Sequence, residues 1–298
     1  MVLPWLVETY SQLTTSRNNN TLHHAIILHG KEGVGKQLLV EQFAQDLLCQ
    51  QDSSTACGQC KSCQLFLAQS HPDFHKVVPE NQIGVDDIRA ATNRLNSASH
   101  QMQAKVLMIT SAHKMTVAAA NSLLKTLEEP TAKTYLFLLT DKMDSLLPTI
   151  KSRCHKQNLG VAKRALVEQW LQSEGITADP ILLDLYWYRP LYLKRLLSDP
   201  DANQLKDIEQ DFDSVLAGQL TTLAFTDKYL ECVDLCLEWL QLYFSEQMKG
   251  CDVQNQDAHW EAHIQLTQLS RQLALPGVNK SLLLNQALSA LLEAVKQS

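Results

Sequence analysis

Apolar positions follow two rhythms along this chain, and the change between them divides it. In the first half, short runs that are apolar almost throughout alternate with stretches that are apolar at helical spacing. His24–His29, Lys105–Ile109 and Thr134–Thr140 are of the first kind, and Phe74–Val78 is a fourth, less uniform run. A strand covered on one face alternates apolar and polar. A strand apolar throughout is covered on both faces, as in a parallel sheet between helices. Between these runs, Gln37–Leu48, Val85–Leu95 and Val117–Leu127 predict helices. Asp86 and Asp87 stand in the first turn of the second of these, where carboxylates suit the positive helix end. Glu128-Glu129-Pro130 stops the third, since proline cannot continue a helix.

Past Gly160 the strand signals fade. Residues 162–200 read as a small helical unit, and everything from about 204 onward as helix. Between Cys232 and Ser245 the polar residues fall only at Asp234, Glu238, Gln241 and Ser245. They trace one narrow stripe on a helix, so the rest of its circumference should be buried. Leu282–Val295 is also strongly apolar, and the polar stretch Lys249–Gln256 predicts a loop before it. The expected organisation is an α/β sheet domain over 1–160, a helical lid over 161–203 and an all-α domain over 204–298.

Composition narrows the class. The 298 residues suffice for two or three domains, and 45% of them are hydrophobic. No run of about 18 apolar residues occurs, so no membrane span is expected. Met1-Val2-Leu3-Pro4-Trp5 lacks the basic patch and long apolar run of a signal peptide, and a cytoplasmic location is expected. With 26 basic and 32 acidic residues the net charge is -6. A chain that held DNA by itself would more often be basic, so any DNA contact is expected to be local or shared with partners.

The chemistry begins after the first strand. Gly30-Lys31-Glu32-Gly33-Val34-Gly35-Lys36-Gln37 fits the phosphate-binding pattern GxxxxGK, between a strand and a helix as that pattern requires. Gly30, Gly33, Gly35 and Lys36 are the candidate phosphate contacts. The last place of the pattern normally carries a Ser or Thr hydroxyl for Mg²⁺, and here it is Gln37. The second nucleotide strand, Lys105–Ile109, ends in Thr110-Ser111 rather than in an acidic pair that would hold metal. The loop is expected to be vestigial and ATP not to be bound.

Cys49, Cys57, Cys60 and Cys63 form a C-x7-C-x2-C-x2-C cluster. Four thiolates with no open position suit structural zinc rather than catalytic metal. Cys57, Cys60 and Cys63 are expected on a tight turn with Gly58, and Cys49 at the end of the preceding helix. Cys232 and Cys236 lie one helical turn apart, which core packing explains better than metal. Ser152-Arg153-Cys154 closes the sheet domain. An exposed arginine there is ordinarily a solvated charge, but an ATPase at a subunit interface can borrow one from its neighbour.

Taken in order, these segments resemble the clamp-loader branch of the AAA+ proteins, which serves bacterial DNA polymerase III. The residues carrying the resemblance are His23-His24-Ala25, the phosphate loop, Cys57–Gln64, His71-Pro72-Asp73, Ala118–Pro130 and Ser152-Arg153-Cys154. The run from Asn121 to Pro130 is its most specific part. The resemblance is strong over residues 20–160 and weak beyond, where Asn279–Leu284 is similar to the family's last collar helix. The family's motor subunits, gamma and tau, keep the hydroxyl and the acidic motif that Gln37, Thr110 and Ser111 replace here. They also carry a nucleotide-sensing arginine where Tyr188-Arg189-Pro190-Leu191 places Leu191.

The resemblance implies a non-hydrolysing stator in a five-subunit partial ring with gamma/tau and delta. That ring loads a sliding clamp onto primer-template DNA, as an accessory to a DNA-directed DNA polymerase, a nucleotidyltransferase. It implies that Arg153 is offered in trans to the ATP of the adjacent gamma subunit, and that residues 204–298 join a helical collar. Asn121 and Lys125, one turn apart, either face DNA within the ring or lie on a solvated face. Two other readings stand beside this one. The first is a gamma/tau-like ATPase using Lys36 with a relocated metal ligand such as Asp141. The second is a zinc-stabilised adaptor unrelated to replication.

Overall fold

The computed structural model describes residues 2–51, 54–96, 104–198, 205–250, 256–273 and 278–296. Five strands, Ala25–His29 (β1), Phe74–Val77 (β2), Lys105–Ile109 (β3), Thr134–Thr140 (β4) and His155–Asn158 (β5), form one sheet in the order β2-β3-β4-β1-β5. Every pairing is parallel, with Ile27 opposite Leu138 and Leu107 opposite Leu136. The continuous apolar runs explain this arrangement. All of β3 and nearly all of β1 and β4 are buried, because helices cover both faces of the three central strands.

Helices in the first part of the chain are Val7–Asn18 (α1), Lys36–Leu48 (α2), Lys61–Leu67 (α3), Val85–Asn96 (α4), Val117–Glu128 (α5), Pro148–Lys151 (α6) and Arg164–Ser173 (α7). Leu39, Val40, Phe43, Ala44, Leu47 and Leu48 of α2 are buried, and Phe43 meets Phe137 of β4 edge-on at 6.0 Å. Leu123 and Leu127 of α5 join Leu107, Leu136 and Leu138 in an apolar cluster that also takes in Cys154.

Pro180–Tyr186 (α8) and Pro190–Ser198 (α9) follow, then Leu205–Leu216 (α10), Thr222–Lys228 (α11), Val233–Gly250 (α12), Gln256–Leu273 (α13) and Lys280–Lys296 (α14). The chain divides into two compact units, Met1–Ala178 with Tyr186–Lys194, and Asp179–Leu185 with Arg195–Ser298. Among its described residues the second unit's regular elements are all helices. Its core gathers Phe212 against Trp239 and Tyr243, each at 5.3 Å, and Leu283, Leu284, Leu288 and Leu291 of α14 are also buried. On α12, Leu235, Cys236, Leu237, Trp239 and Leu240 are buried, and Gln241 from the polar stripe donates to Ser270 of α13 at 2.9 Å. The predicted loop is shorter than expected: Lys249 and Gly250 end α12, Gln256 opens α13, and 251–255 lie outside the described residues.

Candidate functional site

The phosphate loop leaves β1 at Gly30 and enters α2 at Lys36. Gly33 and Gly35 adopt positive φ, 77° and 97°, a conformation that a β-carbon penalises. At Gly35 a β-carbon would also lie 2.5 Å from Leu3 Cδ1, so the chain is packed directly against the loop. The loop's polar groups are taken up from within the same unit. Lys36 Nζ donates to the carbonyls of Gly30 at 2.8 Å and Lys31 at 2.9 Å. The Leu191 N–H donates to Gly33 O at 2.9 Å and the Trp5 indole to Val34 O at 2.8 Å. Glu32 pairs with Arg189 at 2.7 Å, and that guanidinium lies 4.2 Å from the Tyr192 ring. Leu191 thus contributes a backbone bond, while Arg189 is engaged by the loop itself.

A cleft of about 430 Å³ opens beside the loop, lined by Lys36, Gln37, Thr110, Ser111, His113 and Asp141 among others. Burial pushes the Lys36 ammonium below its ordinary pKa, against the opposing pull of Asp141 and Glu32. Gln37 Nε2 donates to Glu41 Oε1, one turn along α2, at 2.9 Å. Thr110 donates its hydroxyl to Val77 O at 3.2 Å, and Ser111 sits in the left-handed region with φ 50°. Asp141 contacts His113 Nδ1 at 3.1 Å, and burial lowers the pKa of that imidazole.

The four cysteines converge. Their sulfurs all lie within 4.8 Å of one another, and Cys57 Sγ is 4.0 Å from Cys63 Sγ. A tetrahedral zinc with bonds of about 2.3 Å has sulfur–sulfur edges of about 3.8 Å, so the group could hold such an ion with little movement. Cys49 caps the C-terminal end of α2 and Cys60 the N-terminal end of α3, with Cys63 one turn inside α3. The turn predicted for the last three cysteines therefore continues into a helix. Backbone N–H groups approach the sulfurs: Gln51 and Cys57 donate to Cys49, Cys60 to Cys57 and Cys63 to Cys60, each at 3.4 Å. Such donors favour thiolate over thiol. At Cys60, burial raises the pKa but the N–H donors outweigh it, bringing it to about 6.

Beneath the cluster, Ser62 and His71 join two of the segments that carried the resemblance. The Asp73 N–H donates to His71 Nδ1 at 3.1 Å. The ring proton is therefore on Nε2, which donates to Ser62 Oγ at 2.8 Å, and that hydroxyl donates to Leu48 O at 2.5 Å. On the other side, buried Asp46 accepts from Tyr10 at 2.6 Å and from the Ala56 N–H at 2.8 Å. Both networks brace the cysteine module against α2.

Arg153 follows the short α6 and is anchored by buried Cys154, whose thiol is pushed up to about 12 by burial. Its guanidinium is held by Glu128, the last residue of α5, through Nε at 2.7 Å and Nη2 at 2.6 Å. Nη1 donates to Thr149 O at 3.0 Å. Asn121 and Lys125 are both exposed on α5. The pairing of Arg153 with Glu128 is not expected from the sequence, where Glu128-Glu129-Pro130 only marks the end of the helix. The signal available was that the Leu127-Glu128-Glu129-Pro130 and Ser152-Arg153-Cys154 segments occur together.

Comparison with known proteins decides the family. The family model described as "DNA polymerase III, delta subunit" matches residues 6–162, just over half of the chain. A DNA polymerase III subunit delta' of Haemophilus influenzae is 33% identical over 83% of this chain and 77% of its own length. The subunit of that name from Yersinia pestis is 34% identical over 96% of this chain and 94% of its own. The chain belongs to the DNA polymerase III delta-prime family. Among solved structures, a gamma subunit-related protein of DNA polymerase III from Thermotoga maritima superposes with a TM-score of 0.55. It covers 95% of this chain and 98% of its own at 19% identity, which shows a shared fold. Among the described residues no helix is long and apolar enough to cross a membrane.

Proposed function

We propose that this delta-prime family member is the non-hydrolysing stator of a DNA polymerase III clamp loader. It would sit in a hetero-pentameric ring with gamma/tau and delta subunits and assist ATP-dependent placement of a sliding clamp on primed DNA. The observation that carries this is the engagement of Lys36 by the carbonyls of its own loop, Gly30 O and Lys31 O. A phosphate-binding lysine turned onto its loop, next to Gln37 and Thr110 in place of metal ligands, favours a fixed shape over a nucleotide cycle. Asp141, an example of a relocated metal ligand that an ATPase reading would call on, is already in contact with His113.

In this reading residues 1–160 are the sheet domain, 161–203 the lid and 204–298 the collar. Cys49, Cys57, Cys60 and Cys63 would hold a structural zinc, which would tie the ends of α2 and α3 together and take no part in hydrolysis. Arg153 reaches the ATP of the adjacent gamma/tau subunit and stabilises the charge that develops on the transferred phosphoryl group.

The test is a loader reconstituted with gamma/tau, delta, clamp and primed DNA. Arg153→Ala should leave folding and assembly intact and lower ATP hydrolysis. At the one site served, loss of such a finger costs about 10³-fold or more. Unchanged ATPase in an assembled complex sinks the finger.

A further inference from the structure

We infer that Glu128 is the positioning residue for Arg153, fixing the guanidinium in its working orientation before a partner subunit arrives. The inference rests on the arginine-finger reading above. Its carrying observation is how many of the guanidinium's five N–H groups are committed within the chain. Nε–H and one Nη2–H go to Glu128 Oε1, at 2.7 and 2.6 Å. The two Nη1–H groups go to Thr149 O at 3.0 Å and Ser152 Oγ at 3.3 Å. Among the described residues one Nη2–H is left over, a single donor for a phosphate oxygen.

The base of this arrangement is fixed on both sides. Leu127 and Cys154, the neighbours of Glu128 and Arg153, are 2% and 8% exposed in one apolar cluster. His24 Nε2 donates to Leu127 O at 2.9 Å, which ties the end of α5 to the start of β1. Above that base the pair itself is open, with side-chain exposures of 36% for Arg153 and 51% for Glu128. A pair this exposed contributes little to stability, so folding does not account for it. Its effect is on freedom: an unrestrained arginine samples many rotamers, and each productive encounter would have to order it again. The carboxylate also offsets part of the arginine's charge, so Glu128 either positions the finger or restrains it. These alternatives predict opposite changes in rate.

The reconstituted complex with clamp and primed DNA separates them. Arg153→Ala sets the full loss of ATPase at saturating ATP. Glu128→Ala should produce at least half of that loss in kcat, with the KM for ATP and subunit assembly unchanged. Glu128→Gln keeps an amide oxygen that accepts from Nε and Nη2, and should restore most of the rate. The double variant should be no slower than Arg153→Ala alone, because both act through one group. A Glu128→Ala complex as fast as wild type, or faster, while Arg153→Ala is slow, overturns the positioning role and leaves the finger standing. An Arg153→Ala complex of normal rate overturns the finger, and this inference with it.

Discussion

The indole N–H of Trp5 donates to the carbonyl of Val34, 29 positions away, across 2.8 Å. The phosphate loop is thus held from outside the sheet by the turn Pro4–Leu6. Trp5→Phe keeps an aromatic ring against Trp170, which it meets edge-on at 5.1 Å. It removes the donor and leaves the buried Val34 carbonyl without that partner. The expected cost is about 1–3 kcal/mol, read as a lower urea midpoint with unchanged slope.

Nucleotide binding gives the next expectation. Calorimetric titration of the isolated chain with Mg-ATP should show no binding, since a phosphate would have to draw Lys36 away from Gly30 and Lys31. Lys36→Ala should leave clamp loading close to wild type while loosening the loop by about 1 kcal/mol. Tight binding, or a large loss of loading in the variant, would return the chain to the hydrolysing class.

Metal content tests the cysteine knot. Purified protein should carry about one zinc per chain, and Cys60→Ser should carry about none. Cys60 also caps α3, its side chain accepting from the Cys63 N–H. Serine caps a helix well, so the substitution removes the ligand and spares the cap. Chelation of the wild type should lower the melting temperature to about that of the variant, and further chelation of the variant should do nothing. Protein that never contains zinc by metal analysis rejects the site.

His71 sets a pH dependence. Burial lowers its pKa from 6.5, opposed by Asp73, and the Nδ1 acceptor role requires the neutral ring. The unfolded chain takes up a proton near pH 6.5 and the folded chain only at lower pH. Between these values the unfolded state binds more protons, so stability rises with pH. The contribution is complete above 6.5 and is lost as pH falls through the folded value. The slope from this one group is at most about 1.4 kcal/mol per pH unit. Urea titrations from neutral to mildly acidic pH should show a shallower slope for His71→Gln. Equal slopes would remove His71 from the account.

What the sequence revealed, and what it hid, follows from how local each signal was. β1, β3 and β4 were readable because covering both faces forces every position to be apolar. β5, His-Lys-Gln-Asn, has no such pattern: it is an edge strand held by backbone pairing to β1, and most of its side chains are exposed. α1 was hidden for a related reason, since only Leu13 of its twelve residues is buried. The cysteine cluster was legible because its spacing is itself the geometry. The contacts of Glu128 with Arg153, of Ser62 with His71 and of Trp5 with Val34 bring together distant positions. No periodicity encodes them; the resemblance covers the segments of the first two pairs without saying which residues touch, and it does not reach Trp5.

Helix α2 begins at the phosphate loop and ends at Cys49. In a motor, one end of that helix would be gripped and let go with each nucleotide. Here the near end is tied by Trp5 and Lys36, and the far end belongs to the sulfur cluster. It is a beam of about 20 Å clamped at both supports. If the chain is the proposed stator, force applied by a cycling neighbour would meet a member without a hinge, and the displacement would have to appear in the neighbour.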